Sequence, residues 1–260
     1  MNSLNYDASN MMANGAMPRK KLGVIGGMGP AASAYFYELL TSSTLAETDQ
    51  DHLEIYIVSR PSIPDRTAYI LGKSPNSPVA PVIEAGNMLA SLGADLIAIP
   101  CATTHHFYDE LSKSIRIPIV HMIKETATYL HSCGVTAAGL MATDGAASSG
   151  LFQRELGAAG IRSVMPSPLM QSNVMHLIYG CIKAGKQFDD DMFASIADEL
   201  RANGAQAIIL ACTELSLIRR DNRISGEFVD VLEILARRCI EICGACAISP
   251  LSGQNTGEPE

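Results

Sequence analysis

The stretch Leu96–His106, "LIAIPCATTHH", decides how the chain is read: an unbroken apolar run ends at a proline, and a cysteine, two threonines and two histidines follow at once. Continuous hydrophobicity of this kind marks a strand buried on both faces, the habit of a parallel sheet covered by helices. Residues Ala207–Leu217, "AIILACTELSL", repeat the design. The two regions superpose without a gap from Leu92–Thr103 onto Asn203–Glu214, pairing Gly93 with Gly204, Ala94 with Ala205 and Cys101 with Cys212. A weaker echo sets "LGVIGG" against "AGLMAT", with Gly27 opposite Thr143, and "PIVHMI" against "EFVDVL", with His121 near Asp230.

Around these stretches, short β-rich runs such as "KLGVIG", "LEIYIV" and "TAAGLMA" alternate with longer helical segments such as "VIEAGNMLASL" and "DMFASIADELRANG". That alternation predicts an α/β fold. The internal echo makes it two pseudo-symmetric lobes, each a parallel sheet flanked by helices, with the active site in the cleft between them. The expected division is a polar N-terminal extension over 1–20, an N-terminal lobe over 21–117 plus a returning C-terminal helix over 228–247, a C-terminal lobe over 118–227, and a flexible tail over 248–260. Open parallel sheets bind ligands beyond the carboxyl ends of their strands, so Cys101 and Cys212 belong on facing rims.

With 260 residues, 47% of them hydrophobic, the chain is long enough for one large domain or two modest ones. A net charge of -8 and the lack of any dense Lys/Arg run argue against nucleic acid or an anionic membrane as partner. A small molecule is the expected partner. No apolar stretch approaches the roughly 20 residues of a membrane span, and the opening residues lack the apolar segment of a secretory signal, so the expected location is cytoplasmic. Seven cysteines, an odd number in apolar surroundings, read as reduced thiols.

Two opposed cysteines suit one reaction. Inverting a stereocentre by proton transfer needs one group to remove hydrogen from one face and another, already protonated, to deliver it to the other. A thiol with a free pKa of about 8.5 can do either near neutrality, and a helix N-terminus behind it is expected to favour the thiolate.

The segments "GVIGGMGPAAS", "IPDRTAYILGK", "PCATTHHFYDEL", "GLMATDGAASSGLFQREL", "IYGCIKAG" and "ACTELSL" together resemble the aspartate/glutamate racemase family, amino-acid racemases that work without pyridoxal phosphate. The resemblance runs from Lys21 to about Cys246. It implies two pseudo-symmetric α/β lobes, a two-base mechanism with no cofactor, a small anionic amino acid as substrate and a homodimer. By motif match, Cys101 and Cys212 take the places of the two catalytic cysteines, and Arg66 that of the arginine gripping the distal carboxylate. Thr103 and Glu214 match head-group contacts, Thr143 the threonine of an "ATxGT" motif, Met28 the glycine-rich entry loop, and Lys183 the lysine of "IKAG". Chemistry agrees: arginine holds a carboxylate with a planar fork, Glu214 complements an ammonium, and Thr103, Thr104 and Thr143 are hydroxyls available to an α-carboxylate. The pattern usually has asparagine after the first cysteine and a second threonine in "ATxGT", where this chain has Ala102 and Ala146. Each missing hydrogen bond to a charged ligand removes about 1.5 to 3 kcal/mol of binding.

Other readings compete. "GGMGPAA" fits a dinucleotide fingerprint, but the acidic residue that should close the second strand is replaced by Ser59 and Arg60. "CIEICGAC" has the spacing of an iron-sulfur motif, yet Cys239, Cys243 and Cys246 continue the apolar face of a terminal helix. His52, His131 and His176 show no ligand spacing, and no metal is expected. His105, His121 and Asp230 are candidates for tuning the thiols. The reading reached is a cofactor-independent racemase of an acidic amino acid, aspartate before glutamate. Its rivals are a cysteine hydrolase or transferase pairing Cys101 with His105, and a non-catalytic amino-acid sensor.

Overall fold

The computed structural model describes residues 19–221, 224 and 227–248. The expected N-terminal extension and tail therefore fall mostly outside the described residues. At their inner edges the chain is tied down, with the Lys20 amide donating to the Cys243 carbonyl at 3.1 Å and the Ile248 amide to Ser43 at 2.8 Å.

The first half reads β1 (Leu22–Gly26), α1 (Pro30–Ser42), β2 (Ile55–Ser59), α2 (Arg66–Ile70), α3 (Val79–Ser91), β3 (Leu96–Ala98), α4 (Tyr108–Ser114) and α5 (Met122–Ser132). The second reads β4 (Ala137–Met141), α6 (Asp144–Ser148), α7 (Leu151–Ala158), β5 (Arg162–Val164), α8 (Pro168–Met175), α9 (Asp190–Ala202), β6 (Ala207–Leu210), α10 (Ser216–Arg220), β7 (Phe228–Asp230) and α11 (Val231–Ile242). Two parallel sheets result, ordered β2-β1-β3 and β5-β4-β6-β7. The fold is α/β with two lobes.

The expected lobe boundaries need correction at both crossings. Residues 228–230 were expected in the first lobe, but β7 pairs with β6 in the second sheet, Leu210 opposite Asp230. Ile119, expected in the second lobe, instead forms a parallel bridge to Ile97 in the first. Each sheet thus gains a short fourth position beside its cysteine strand, which the hydrophobic pattern of "PIVHMI" and "EFVDVL" did not assign to a side. The helices that follow these segments do the crossing: α5 packs on α7 and α11, and α11 packs on α1.

The strand pleat sorts the core. Leu22, Val24, Leu96 and Ala98 of the first sheet join Ala138, Leu140, Ala207 and Ile209 of the second in one buried cluster with α1, α5, α7 and α11. The alternate residues face outward, Ile25 and Ile97 toward α3 and Met141, Ile208 and Leu210 toward α8 and α9. The symmetry reaches single contacts. A Cβ on Gly23 would meet Leu89 and Ala94, and one on Gly139 would meet Leu200 and Ala205. Both glycines let a helix approach the centre of its sheet.

Candidate active site

Cys101 follows β3 and opens a 3-10 turn, Ala102–Phe107; Cys212 follows β6 and precedes α10. Both are more than nine-tenths buried, and both line one small pocket between the lobes. Met28, Arg66, Thr103, Thr143, Lys183 and Glu214 line the same pocket. The space left among them is about 10 Å³, room for a single water rather than an amino acid. Met28, Arg66, Lys183 and Glu214 also border an open cavity of about 430 Å³ beside the glycine loop Gly27–Gly29. A larger groove, about 610 Å³, lies between α5 and α11 and contains neither thiol.

The charges are arranged around the sulfurs. The Cys212 thiol donates to Glu214 Oε2 at 2.9 Å, while Lys183 pairs with Glu214 Oε1. Burial and the Glu214 carboxylate push the Cys212 pKa well up, against the pull of Lys183. The expected help from a helix N-terminus does not appear there, because α10 is a five-residue helix starting four residues on and a carboxylate stands closer. Burial works against the Lys183 ammonium, but Glu214 and the Cys212 and Cys101 sulfurs outweigh it and raise its pKa. Arg66 starts α2, capped by Asp65, and its guanidinium donates to the carbonyls of Met28 at 3.0 Å and Pro64 at 3.1 Å. Burial opposes its charge, which the neighbouring Cys101 and Asp65 support. Its Nε is buried with no partner among the described residues.

Across the lobes, the Thr103 and Thr143 hydroxyls meet at 3.0 Å, and Thr213 donates to the Pro100 carbonyl at 3.3 Å. Four pocket residues were not singled out from the sequence: Asp65, Thr67, Tyr179 and Thr213. Tyr179 donates to Asp65 at 3.1 Å from a wide π-helical turn, His176–Ile182, which brings the tyrosine and Lys183 to the pocket together. Such turns gather at functional sites; the quoted "IYGCIKAG" contains both residues.

Four expected site residues stand elsewhere. Thr104 turns its hydroxyl to the Met28 sulfur at 3.5 Å and does not line the pocket, because the turn after Cys101 rotates it inward. His105 spends both ring nitrogens on backbone groups and has none left for a thiol: Nε2 meets the Met122 amide at 3.2 Å and the Val120 carbonyl at 3.4 Å, and Nδ1 faces the Cys101 carbonyl at 3.1 Å. Burial, with His121 nearby, lowers its pKa to about 4. His121 and Asp230 touch neither sulfur; they cap α5 and α11, accepting from the Lys124 and Leu232 amides. Cys239 and Cys243 are buried on and just after α11, and among the described residues no group of three His, Cys, Asp or Glu side chains is placed to hold a metal.

Burial pushes the Asp230 pKa up to about 7; Glu233 adds to this, while Ser216, the Leu232 amide and Arg219 oppose it. A carboxyl whose folded pKa exceeds its unfolded value of about 3.9 binds more protons when folded, so stability falls as pH rises between the two. Urea unfolding at about pH 5 and pH 8 is expected to show Asp230→Asn losing about 2 to 3 kcal/mol less than the unaltered chain over that interval. Equal slopes for the two proteins would contradict this.

A family model for Asp/Glu/Hydantoin racemase matches residues 25–239. The chain belongs to that family. It is an amino-acid racemase, an isomerase, by membership. It is similar to the Picrophilus torridus aspartate racemase structure, at 32% identity and a TM-score of 0.77, over 88% of this chain and 96% of that one. It is 24% identical over 226 residues to the broad specificity amino-acid racemase RacX of Bacillus subtilis (strain 168), covering 84% of this chain and 96% of the relative. The fold is shared with a glutamate racemase from Francisella tularensis solved with D-glutamate, with a TM-score of 0.64 at 14% identity, over 87% of this chain and 81% of that one. No helix among the described residues is long and apolar enough to cross a membrane.

Proposed function

We propose that this racemase interconverts the L- and D-forms of an acidic amino acid, aspartate before glutamate, by two-base proton transfer between Cys101 and Cys212 without a cofactor. One observation carries the reading: two thiols, one from each lobe, share a single buried pocket with an arginine, a lysine and a carboxylate. One sulfur, as thiolate, takes the proton from Cα; the electron pair stays on carbon; the other sulfur, as thiol, delivers its proton to the opposite face. The resting site is asymmetric, since Cys212 is held protonated against Glu214 while Cys101 stands beside the Arg66 cation.

Lys183 already provides an ammonium for Glu214. An incoming amino acid brings its own, so the pair parts on binding: Glu214 takes the substrate ammonium and Lys183 is released to a carboxylate. Arg66 takes the distal carboxylate, and Thr103 and Thr143 face the α-carboxylate. Ala102 and Ala146 leave two positions without side-chain hydrogen-bonding groups, which favours a second reading, tolerance of other side chains. Homodimerisation and a cytoplasmic location are part of the same proposal.

Incubation with L- or D-aspartate in deuterated water tests it. The expected result is deuterium at the α-carbon together with loss of optical activity. A panel of acidic and neutral amino acids separates the two specificities. A trapped acyl-protein mass would overturn the reading in favour of the hydrolase, and tight binding without exchange in favour of the sensor.

A further inference from the structure

We propose that His105 and the Ser216–Asp230 pair are equivalent positioning residues, each fastening one thiol-bearing loop to the first turn of a helix that packs across the molecule; this rests on the two-thiol reading above. The alignment that pairs Cys101 with Cys212 also pairs His105 with Ser216, each four residues beyond its cysteine.

The chemistry at the two places differs but the connection is the same. His105 Nε2 lies 3.2 Å from the Met122 amide and 3.4 Å from the Val120 carbonyl; with the shorter contact made as an acceptor, the proton sits on Nδ1, which donates to the Cys101 carbonyl at 3.1 Å. The ring is 1% exposed and its neutral form fits both bonds. One side chain thus joins the cysteine's own backbone to the first residue of α5. In the other lobe the Ser216 hydroxyl donates to Asp230 Oδ1 at 2.6 Å, and the same oxygen accepts from the Leu232 amide at 2.8 Å in the first turn of α11. Ser216 is fully buried, two residues beyond Glu214.

The two helices touch one another, and each reaches the opposite lobe, α5 against α7 and α11 against α1. A continuous mechanical line therefore runs from the Cys101 loop through His105 to α5, across to α11, and back through Asp230 and Ser216 to the Cys212 loop. That line braces the two thiol loops from behind, in addition to the direct Thr103–Thr143 and Thr213–Pro100 contacts between the lobes, and none of the three residues lines the pocket. Loosening one end misplaces one sulfur without removing a substrate contact.

The test is steady-state kinetics with aspartate carrying hydrogen or deuterium at Cα, on the unaltered chain, His105→Gln and Ser216→Ala. Misplacement of a reacting group by about 1 Å costs on the order of 100-fold in rate. Each variant is expected to lose about 10- to 100-fold in kcat with KM changed less than about threefold, and Ser216→Thr to recover most of the loss. The isotope effect gives the signature that general destabilisation would not. Slowing one sulfur raises the substrate isotope effect for the enantiomer it deprotonates and lowers it for the other, so the two variants should shift the pair of effects in opposite senses. Parallel shifts in both variants, or unchanged kcat in folded protein, would overturn the proposal. If His105→Gln does not fold, Ser216→Ala with its threonine rescue decides alone. An unaltered chain that exchanges no α-hydrogen would instead remove the two-thiol reading itself.

Discussion

Cys101→Ala and Cys212→Ala are each expected to lower racemisation by at least about 10³-fold, because general acid–base contributions of about 10² to 10⁴ attach to each proton carrier. A serine in either place is expected to fare little better, its hydroxyl holding the proton far more tightly near neutrality than a thiol of pKa about 8.5. The two losses should not look alike. A protein left with one sulfur can still remove and return hydrogen on one face, exchanging deuterium into one enantiomer with retention. Cys101→Ala and Cys212→Ala should therefore exchange opposite enantiomers, read by chiral chromatography with mass detection. Exchange of the same enantiomer by both, or racemisation surviving either change, would place the chemistry elsewhere. On the proposed two-thiol reading, the Cys212 thiol, buried and hydrogen-bonded to Glu214, is the side that starts protonated.

Arg66→Leu is expected to cost about 100- to 1,000-fold in kcat/KM for aspartate, the worth of two charge-assisted hydrogen bonds at about 1.5 to 3 kcal/mol each, less what solvent recovers. Arg66 is 9% exposed, and the carbonyls of Ile63, Pro64 and Met28 fix the plane of its guanidinium. On the proposed reading, the buried Nε that lacks a partner among the described residues is a donor available to the distal carboxylate. Arg66→Lys should recover only part of the loss, since a point charge on a flexible stem does not reproduce a planar fork. A neutral amino acid supplies the control. If alanine turnover falls as far as aspartate turnover, Arg66 holds the lobe in shape and does not choose the side chain.

Much of this was legible in the residues. "LIAI" and "AIIL" show their double burial as continuous hydrophobicity, and the matched cysteines put two thiols on facing rims before any coordinate. What escaped depended on rotation within short, irregular backbone. The 3-10 turn after Cys101 decides that Thr103 faces the cleft and Thr104 does not, and no periodicity reports that over six residues. His121 and Asp230 look like chemistry but act as helix caps. Tyr179 hid as one aromatic on an apolar helix, because the π-helical widening that turns it to the pocket has no composition of its own. Asp65 went unremarked beside Arg66; that it caps α2 is local, but that it also meets Tyr179 from the other lobe is a tertiary fact.

The crossing of α5 and α11 bears on what the halves are. A peptide ending near Gly134 would carry α5 without the α7 and α11 surfaces that cover it, and the remainder would carry α11 without α1. Neither piece owns a finished interior. The repeated architecture is thus not a pair of miniature proteins joined by a strap but two interdigitated fragments, each the missing wall of the other.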